Sequence, residues 1–389
     1  MIRFLELLTA IVLVAILYVV VGVFLPDKRQ VDHSIETNHP LRQVFDTIDG
    51  FRRFTAWHPL RQHDPQIVYT LEGPSKGVGA KLNYVSKDPL IGAGTWEIIE
   101  SVQDEYVVIR IDNETYGSNK IARFELQQNN KTVEIEWGYS VEYGWDLRGR
   151  YAGLYVARNA GDDIQAGLSN LVGFIATMPN YDYKSVEVVE TVVDPQHILY
   201  VSTSSKRNIS EVETAMLTAL AAARKAAADN GLYAAGVPRL ITTSFGSDKY
   251  EFDVAVPVTR TPPAEPAAET AAEPGADAAP AAEPVAAATD VAADTPMVGV
   301  PPAAPKVLQP LQGLTLPENV MQGQSYSGRA LTTVYVGHPA ALPLVRDMLR
   351  SYAAANGEDI HDRAFEEYLT EVEQTSAEDA RFNVYWPIR

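Results

Sequence analysis

The chain contains no cysteine among its 389 residues. Disulfide bonds, thiolate metal sites and cysteine nucleophiles are therefore excluded together. This absence fits any compartment, and it suits an oxidising one slightly better because no thiol is left to mispair. Any binding or chemistry must therefore depend on other side chains.

Basic residues are scarce relative to acidic ones. The chain has 32 Lys and Arg against 50 Asp and Glu, which gives a formal net charge of −18. General affinity for a nucleic-acid backbone needs clustered Lys and Arg, so we expect no nucleic-acid partner. The acidic excess also disfavours broad contact with anionic lipid surfaces. The hydrophobic fraction of 46% is nevertheless that of a globular protein.

Motifs for catalysis and for cofactors are also missing. The sequence has no Gly-x-Ser-x-Gly nucleophile elbow and no glycine-rich phosphate loop. Five histidines are scattered without metal-ligand spacing, and these are His33, His39, His197, His338 and His361. The sequence therefore predicts no catalytic residue, no metal site and no cofactor.

The N-terminal run from Phe4 to Leu25 is apolar apart from Glu6 and a few small or weakly polar residues. At 1.5 Å per residue, a run of this length extends about 33 Å, which is enough for a hydrocarbon core of roughly 30 Å. A cleaved signal peptide would have an apolar stretch of only about 7–15 residues and a small-x-small cleavage site. The longer run, which closes at Pro26 and Asp27, favours an uncleaved single-pass anchor.

The charges beside this run hardly discriminate between the two orientations. Arg3 lies on one side, while Lys28 and Arg29, offset by Asp27 and Asp32, lie on the other. Because so short a leading segment is typical of a signal anchor, we expect a bacterial inner-membrane protein with a periplasmic body. A cytoplasmic body remains an alternative.

Changes in composition divide the chain into an anchor (residues 1–29) and two domains. Residues 30–180 are rich in strand patterns and end in a helix, and residues 181–389 contain one strand-and-helix pattern twice. Between the two copies, residues 259–306 are a low-complexity stretch of Ala, Pro and Glu. Its frequent prolines and small side chains predict a disordered tether. The predicted fold class is α+β.

Residues 133–143 alternate between apolar and polar side chains. Such alternation indicates an antiparallel strand with one face directed inward. Farther along, apolar side chains recur at helical spacing from Ile164 to Met178, behind Asp162 and Asp163, which predicts a long helix with one apolar stripe. A curved antiparallel sheet that grips such a helix leaves room for a cavity between them.

Several short segments follow one another in a characteristic order in this part of the chain. They are Val31–Ile35, Val44-Phe45, Trp57-His58-Pro59, Glu72-Gly73-Pro74, Gly77-Val78-Gly79, Gly94-Thr95-Trp96, Thr132–Trp137 and the final helix. Over about residues 31–178, their order and spacing resemble the START-like polyketide cyclase/dehydrase and lipid-transport superfamily, SRPBCC. The resemblance implies a hydrophobic ligand cavity under the C-terminal helix. It implies no reaction, because the superfamily mixes binders, transporters and enzymes.

Five side chains of this domain are candidate ligand contacts. Trp57 and His58 are expected at the cavity mouth, and Trp96, Trp137 and Tyr139 are expected along the strands. The favoured alternative for the first two is structural, with Trp57 packed under a loop and His58 hydrogen-bonded to the backbone. Plain core packing explains Trp137 and Tyr139 equally well, and the two interpretations are compatible.

The two copies in the second domain end in similar strands. Tyr250–Val258 and Arg381–Ile388 both alternate and both close on a proline followed by a β-branched residue. Each follows a helical stretch and another strand, at residues 209–230 and 238–245 in the first copy and 340–356 and 363–370 in the second. A half of this size cannot cover its own sheet, so we expect the two copies to pack as one pseudo-symmetric domain.

This duplication, together with Phe365-Glu366-Glu367-Tyr368 in the second copy and Asn230-Gly231-Leu232 in the first, resembles the gyrase-inhibitor-like effector-binding domain of AraC- and MerR-type regulators. The resemblance covers about 183–258 and 307–389. It implies a pocket between the two halves that accepts amphipathic, often cationic, molecules.

Strand parity selects five side chains for that pocket. Asp253, Asn383 and Tyr385 point away from the helix-covered face, and the resemblance assigns their face to the ligand. Glu366 and Tyr368 share a face of their own strand and match the family's Glu-x-Tyr. Asn383 stands where the family commonly has a carboxylate, so cation recognition would depend on Glu366 or Asp253.

We therefore expect a membrane-anchored sensor or carrier of an apolar or amphipathic small molecule. Two alternatives remain open. One is a cyclase, dehydratase or hydrolase that uses His58, His63 or Asp146 as its base. The other is a regulatory module that signals through a protein partner, since no helix-turn-helix precedes the second domain.

Overall fold

The computed structural model describes residues 2–262, 306–370 and 377–389. The tether predicted over 259–306 lies outside the described residues, apart from 259–262 and Lys306. The predicted α+β class is confirmed, because an apolar N-terminal helix is followed by antiparallel sheets and helices.

The helices and strands of the described residues are as follows in chain order. The helices are α1 (Ile2–Phe24), α2 (Leu41–Ile48), α3 (Phe54–Trp57), α4 (Leu60–His63), α5 (Leu147–Ala152), α6 (Val156–Ile175), α7 (Ile209–Asp229) and α8 (Leu342–Asn356). The strands are β1 (Lys28–Thr37), β2 (Val68–Glu72), β3 (Lys81–Val85), β4 (Ala93–Val102), β5 (Tyr106–Asn113), β6 (Ser118–Asn129), β7 (Thr132–Glu142), β8 (Val189–Val193), β9 (His197–Lys206), β10 (Tyr233–Ala234), β11 (Arg239–Phe245), β12 (Lys249–Thr259), β13 (Met321–Gln324), β14 (Gly328–Val336), β15 (Phe365–Tyr368) and β16 (Arg381–Pro387).

The N-terminal helix α1 is the one helix of the described residues that is long and apolar enough to cross a membrane. The qualifying part covers Arg3–Phe24. The strand β1 begins at Lys28, so only a short segment joins the apolar helix to the first sheet.

The N-terminal domain, residues 28–178, is a seven-stranded antiparallel sheet with α6 packed against it. The strand order is β1-β7-β6-β5-β4-β3-β2, and β1 pairs along the whole of β7, from Lys28 opposite Glu142 to Thr37 opposite Val133. The alternation predicted for residues 133–143 is that of β7, whose Val133, Ile135 and Trp137 are buried. The main core lies between this sheet and the helices α2, α3 and α6.

The helix α6 begins at Val156, well before the predicted start beside Asp162 and Asp163. The difference has a physical reason. Near its start, α6 approaches β1 through Gly161, where an added Cβ would lie 3.3 Å from His33 Nε2 and 3.5 Å from Val31 Cγ1. A glycine contact of this kind adds no large apolar side chain, so the helical stripe becomes visible in the sequence only from Ile164 onward.

The chain forms two compact units. The first comprises Met1–Val193 and Gly328–Arg389, and the second comprises Asp194–Ser327. Besides the N-terminal domain, the first unit contains an antiparallel sheet in the order β8-β14-β16-β15, against which α8 packs. In the second unit, the strand order is β13-β9-β12-β11, and α7 packs against β9 and β12.

Each predicted copy has the expected order of strand, helix, strand, strand. The first copy consists of β9, α7, β11 and β12, with the short β10 beside the end of β12. The second copy consists of β14, α8, β15 and β16.

Candidate ligand-binding site

Aromatic rings surround His58 at one end of the N-terminal core. Pro59 keeps His58 in an extended conformation, with φ −69° and ψ 134°, which ends α3 at Trp57. The His58 ring stacks on Phe54 with the ring centroids 4.2 Å apart. Trp96 lies edge-on at 4.8 Å and Trp137 is tilted at 5.5 Å. Three segments distant in sequence therefore meet at one imidazole, and we call the set Phe54, Trp57, His58, Trp96, Phe124 and Trp137 the aromatic cluster.

This environment keeps the imidazole of His58 neutral. Burial, and to a lesser extent the nearby His63, lowers the pKa of His58 from its ordinary value of 6.5 to about 3. His58 Nδ1 accepts a hydrogen bond from the backbone N–H of Leu60 at 3.2 Å, so the ring proton resides on Nε2. A general base works best with a pKa near the working pH. His58 is therefore suited to donating a hydrogen bond rather than to abstracting a proton.

The core that contains the aromatic cluster also holds buried hydrogen-bond donors without partners among the described residues. Trp57 and Trp137 are 2% and 4% exposed, and their ring centroids lie 5.9 Å apart. Within the described residues, neither indole Nε1–H has a hydrogen-bond partner, and the hydroxyl of Tyr69 on β2 has none either. Each unsatisfied buried polar group costs about 1–3 kcal/mol. Three such groups lie in one hydrophobic core, and each could donate to an acceptor.

Phenols form the other polar part of this core. Tyr69 on β2 pairs directly with Tyr84 on β3. Burial raises the pKa of Tyr69 to about 12, and it also raises the pKa of Tyr84. The pKa of Tyr139 is raised by burial and by the neighbouring Tyr143 and Tyr84. All of these hydroxyls are therefore protonated near neutral pH and can donate hydrogen bonds.

The close approach of α6 to the aromatic cluster depends on Gly167. A Cβ added at Gly167 would lie 2.5 Å from Cζ3 of Trp137 and 3.2 Å from Cδ of Pro59. The indole of Trp137 therefore packs directly on the helix backbone. All five candidate residues of this domain contribute to one core, in which Trp57, Trp96 and Trp137 are buried and Tyr139 is half-buried.

The other two proposed bases have structural partners. His63 Nε2 lies 2.9 Å from Asp163 Oδ1, and both side chains are about half exposed. Asp146 caps α5 by accepting a hydrogen bond from the backbone N–H of Arg148 at 3.0 Å.

In the second copy, Glu366 and Tyr368 lie on the face of β15 that α8 covers. Glu366 is fully buried opposite Val384, and its Oε1 lies 3.3 Å from Arg346 Nε on α8. Burial raises the pKa of Glu366, and Arg346 opposes that increase. Tyr368 packs edge-on against Phe382 at 4.9 Å.

Asn383 and Tyr385 lie on the opposite face, where they meet a carboxylate that the sequence reasoning did not select. The Tyr385 hydroxyl donates to Glu367 Oε2 at 3.0 Å, and Asn383 Nδ2 donates to the same oxygen at 3.1 Å. The ring of Phe365 stacks on Tyr385 at 4.6 Å. Glu367 pairs with Asn383 across the two strands, so knowledge of the strand register would have identified Glu367 as the carboxylate on this face. The motif Glu366-Glu367 alone does not say which carboxylate is on which face.

Asp253, in the second unit, is 8% exposed on β12. Its Oδ1 accepts a hydrogen bond from Ser202 Oγ on β9 at 2.6 Å. The side chains of Phe252 and Val254, which flank it in sequence, are buried, as the strand alternation predicted.

A cavity of ≈ 90 Å³ lies where α2 approaches α8 in the first unit. Its wall includes Asp46, whose side chain is almost fully buried and whose Oδ2 accepts a hydrogen bond from the Tyr183 hydroxyl at 2.8 Å. Lys76 Nζ donates to Asn356 Oδ1 at 2.8 Å across the same cavity. These polar contacts join the N-terminal domain to α8, which explains why both belong to one compact unit.

The described residues contain no group of three or more acidic or histidine side chains placed to hold a metal ion. The aromatic cluster offers hydrogen-bond donors and apolar contact area.

Comparisons with known proteins give weak similarities. No family model matches the sequence, and no curated protein matches it. A protein from Nitrosospira multiformis is 17% identical, with a TM-score of 0.29, and the match covers 37% of this chain and 94% of that one. A protein from Thermobifida fusca is 19% identical, with a TM-score of 0.30, and the match covers 37% and 90% of the two chains. The EcmrR C-terminal domain is 8% identical, with a TM-score of 0.35, and the match covers 52% of this chain and 98% of that one.

Proposed function

We propose that this chain is a membrane-anchored protein whose N-terminal domain binds an apolar small molecule that carries a hydrogen-bond acceptor. The observation that supports this most directly is the pair of buried indole N–H groups of Trp57 and Trp137, which have no partner within the described residues. A carbonyl, carboxyl or hydroxyl oxygen of a ligand would satisfy them.

The chemistry of this core narrows the class of ligand. His58 is neutral, and the phenol of Tyr69 is protonated, so these polar groups of the core are donors without formal charge. The other side chains of the core are aromatic or aliphatic. A lipid, a polyketide-like compound or another aromatic molecule fits this combination, as does the resemblance to the START-like superfamily.

The proposal of a retained anchor is supported by contacts between α1 and the folded domain. The guanidinium of Arg150 on α5 donates to the carbonyl oxygen of Val23 at 2.8 Å and to that of Leu25 at 3.1 Å. Cleavage of a signal peptide after the apolar run would remove or disrupt these acceptors. We therefore propose a single-pass protein of a bacterial inner membrane, with its body on the periplasmic side.

The second domain supports a second candidate ligand. The carboxylate of Glu367 lies beside the stacked rings of Phe365 and Tyr385. A carboxylate next to aromatic faces is a recurrent arrangement for cationic aromatic molecules. We propose that this domain, which resembles gyrase-inhibitor-like effector-binding domains, senses such a compound and signals through a protein partner.

The test of the first proposal is a binding assay with the full chain in lipid nanodiscs. The panel would contain a fatty acid, an isoprenoid quinone, an aromatic polyketide and a cationic dye, each titrated and followed by tryptophan fluorescence. Trp57→Phe and Trp137→Phe each remove an indole N–H and keep an aromatic ring. Each is expected to weaken binding of an acceptor-bearing ligand roughly 5- to 10-fold, since one hydrogen bond contributes about 1 kcal/mol or slightly more.

Trp386→Phe is the matched control for this assay. The Trp386 indole N–H is also buried without a partner within the described residues, but it belongs to the core beneath α8. It should leave the affinity unchanged. The proposal is wrong if no member of the panel binds, or if all three variants bind as the unmodified chain does.

A further inference from the structure

The segment that connects β7 to α6 packs against the C-terminal part of the membrane helix. It consists of the loop Tyr143–Asp146, the helix α5 and a 3-10 turn, Gly153–Tyr155. The last turn of α1 leaves backbone carbonyls without helical partners, and Arg150 donates to those of Val23 and Leu25. A positive charge at this end of a helix also complements its dipole.

Further contacts extend along α1 towards the middle of the apolar run. The hydroxyl of Tyr151 donates to the carbonyl oxygen of Tyr18 at 2.8 Å, and the two rings stack with centroids 4.5 Å apart. Gly22 allows this approach, because an added Cβ would lie 3.2 Å from Leu147 Cδ2 and from Tyr151 Cε2.

These contacts fix the position of α5 along the axis of α1. Tyr18 precedes the last residue of α1, Phe24, by less than two turns, or about 9 Å at 1.5 Å per residue. The hydrocarbon core is roughly 30 Å thick, and the apolar run is long enough to span it. If α1 crosses the membrane, Tyr151 therefore lies up to about 9 Å on the acyl-chain side of the boundary with the headgroups, within the roughly 5–10 Å to which an interfacial element is buried.

The outer surface of the same segment is apolar and aromatic. Trp145 is 80% exposed, Tyr155 is 64% exposed and Leu154 is 49% exposed. Large apolar side chains that are exposed together indicate an interaction surface. Trp and Tyr are the residues enriched at the boundary between lipid and water, where an apolar ring body and a polar edge are both accommodated.

We propose that Trp145–Tyr155 is an interfacial membrane element, embedded at the boundary between headgroups and acyl chains in the leaflet in which α1 ends. Trp145, Leu154 and Tyr155 contact lipid, and Arg150 and Tyr151 hold the segment against α1. This inference rests on α1 crossing the membrane, which is part of the proposed function. Since α6 follows directly at Val156, the element also holds the ligand-binding domain against the bilayer surface.

The absence of native cysteines provides a clean test of this proposal. The variants Trp145→Cys, Leu154→Cys and Tyr155→Cys would be made in the full chain, reconstituted in vesicles and labelled with an environment-sensitive fluorophore. Lipids carrying a nitroxide near the headgroup would quench labels at the interface, lipids carrying it along the acyl chain would quench labels inside the hydrocarbon core, and iodide would quench labels in water.

Two controls calibrate the measurement. Leu13→Cys lies inside the apolar run and reports on the membrane helix itself. Lys131→Cys lies in the exposed turn between β6 and β7, at the opposite end of β7 from Glu142 and about 33 Å from it along the strand.

The proposal predicts a blue-shifted emission and strong quenching by the nitroxide lipid at positions 145, 154 and 155. Lys131→Cys should respond to iodide alone. If Leu13→Cys is quenched by lipid while the three test positions behave like Lys131→Cys, the proposal of an interfacial element is wrong and the proposal of a membrane anchor is retained. If Leu13→Cys also behaves like Lys131→Cys, both the anchor and the interfacial element are overturned.

Discussion

The guanidinium of Arg150 donates a hydrogen bond to the carbonyl oxygen of Val23 at 2.8 Å, so a residue of the folded domain caps the apolar N-terminal helix. The same side chain donates through Nε to the carbonyl oxygen of Gly144 at 2.7 Å. One buried arginine thus links the end of α1 to the loop that follows β7. This link makes α1 part of the tertiary structure rather than an appended segment.

Arg150→Gln should destabilise the N-terminal domain and loosen α1. Charged hydrogen bonds contribute about 1.5–3 kcal/mol each, and a shorter neutral side chain cannot replace them all. Thermal unfolding of the full chain in nanodiscs, followed by circular dichroism, would measure the loss. The matched control is Arg148→Gln, because Arg148 is exposed on the same helix. Equal melting temperatures for the two variants would contradict the capping role.

Gly167→Ala should destabilise the domain and disturb the aromatic cluster. The added methyl group would lie 2.5 Å from Trp137, so α6 or the indole must move, and overpacking of this kind costs about 1–3 kcal/mol. The change in the midpoint of urea unfolding would measure this destabilisation. Gly173→Ala on the same helix is the control, because an added Cβ there meets nothing within 4 Å. That substitution should stabilise α6 by up to about 1 kcal/mol. The interpretation fails if the two alanine variants shift the midpoint in the same direction.

His58 should make the domain less stable as the pH decreases from about 6.5 to about 3. In this window, the unfolded chain binds a proton on His58 that the folded chain, with the pKa of His58 lowered to about 3, does not bind. The free energy of unfolding therefore decreases by at most about 1.4 kcal/mol per pH unit, and by less because the ring is partly exposed.

His58→Phe should flatten this pH dependence, because phenylalanine can retain the stacking on Phe54 and does not titrate. Urea unfolding at several pH values would give the slopes for both proteins. His361→Phe serves as the control, since His361 is exposed and far from the aromatic cluster in sequence. A His58→Phe variant with an unchanged slope would show that His58 is not desolvated.

Glu366→Leu should destabilise the sheet beneath α8 by about 3 kcal/mol or more, because it leaves the buried Arg346 without that carboxylate. The double variant Glu366→Leu with Arg346→Leu should recover most of the loss, since an apolar pair of similar volume avoids the buried charge. Chemical unfolding of the unmodified chain, both single variants and the double variant would complete the double-mutant cycle.

Asp347→Asn is the control for this pair, because Asp347 forms a more exposed ion pair with Arg350 on the same helix. It should change stability by less than about 1 kcal/mol. A double variant as unstable as Glu366→Leu would indicate that Glu366 acts through a partner other than Arg346.

Much of the architecture could be predicted from periodicity. The alternation of residues 133–143 is visible as β7 because one face of that strand is buried and the other is accessible to solvent. The two similar closing strands correspond to β12 and β16, and the helices α7 and α8 begin within a few residues of their predicted starts. The first turns of α6 were missed because Gly161, rather than an apolar side chain, makes the contact with β1.

The candidate site was less accessible to sequence reasoning. Trp57, Trp96 and Trp137 could each be selected as large inward-facing rings, but no spacing rule shows that their rings meet at His58. Tyr69 was missed because β2 is short and its alternation is weak. Glu367 was missed because two adjacent glutamates point to opposite faces, and only the pairing with Asn383 shows which one faces Tyr385.

The sequence by itself determined the apolar N-terminal helix, the α+β class, the duplicated pattern and the absence of thiol chemistry, because these follow from composition and from repeats along one chain. Only the tertiary structure decided that indole donors find no partner among the described residues beside a neutral His58, that Glu366 is buried against Arg346, and that α5 packs beside α1. These are contacts between segments far apart in sequence. Their energies depend on which groups exclude water together, and no local pattern records that.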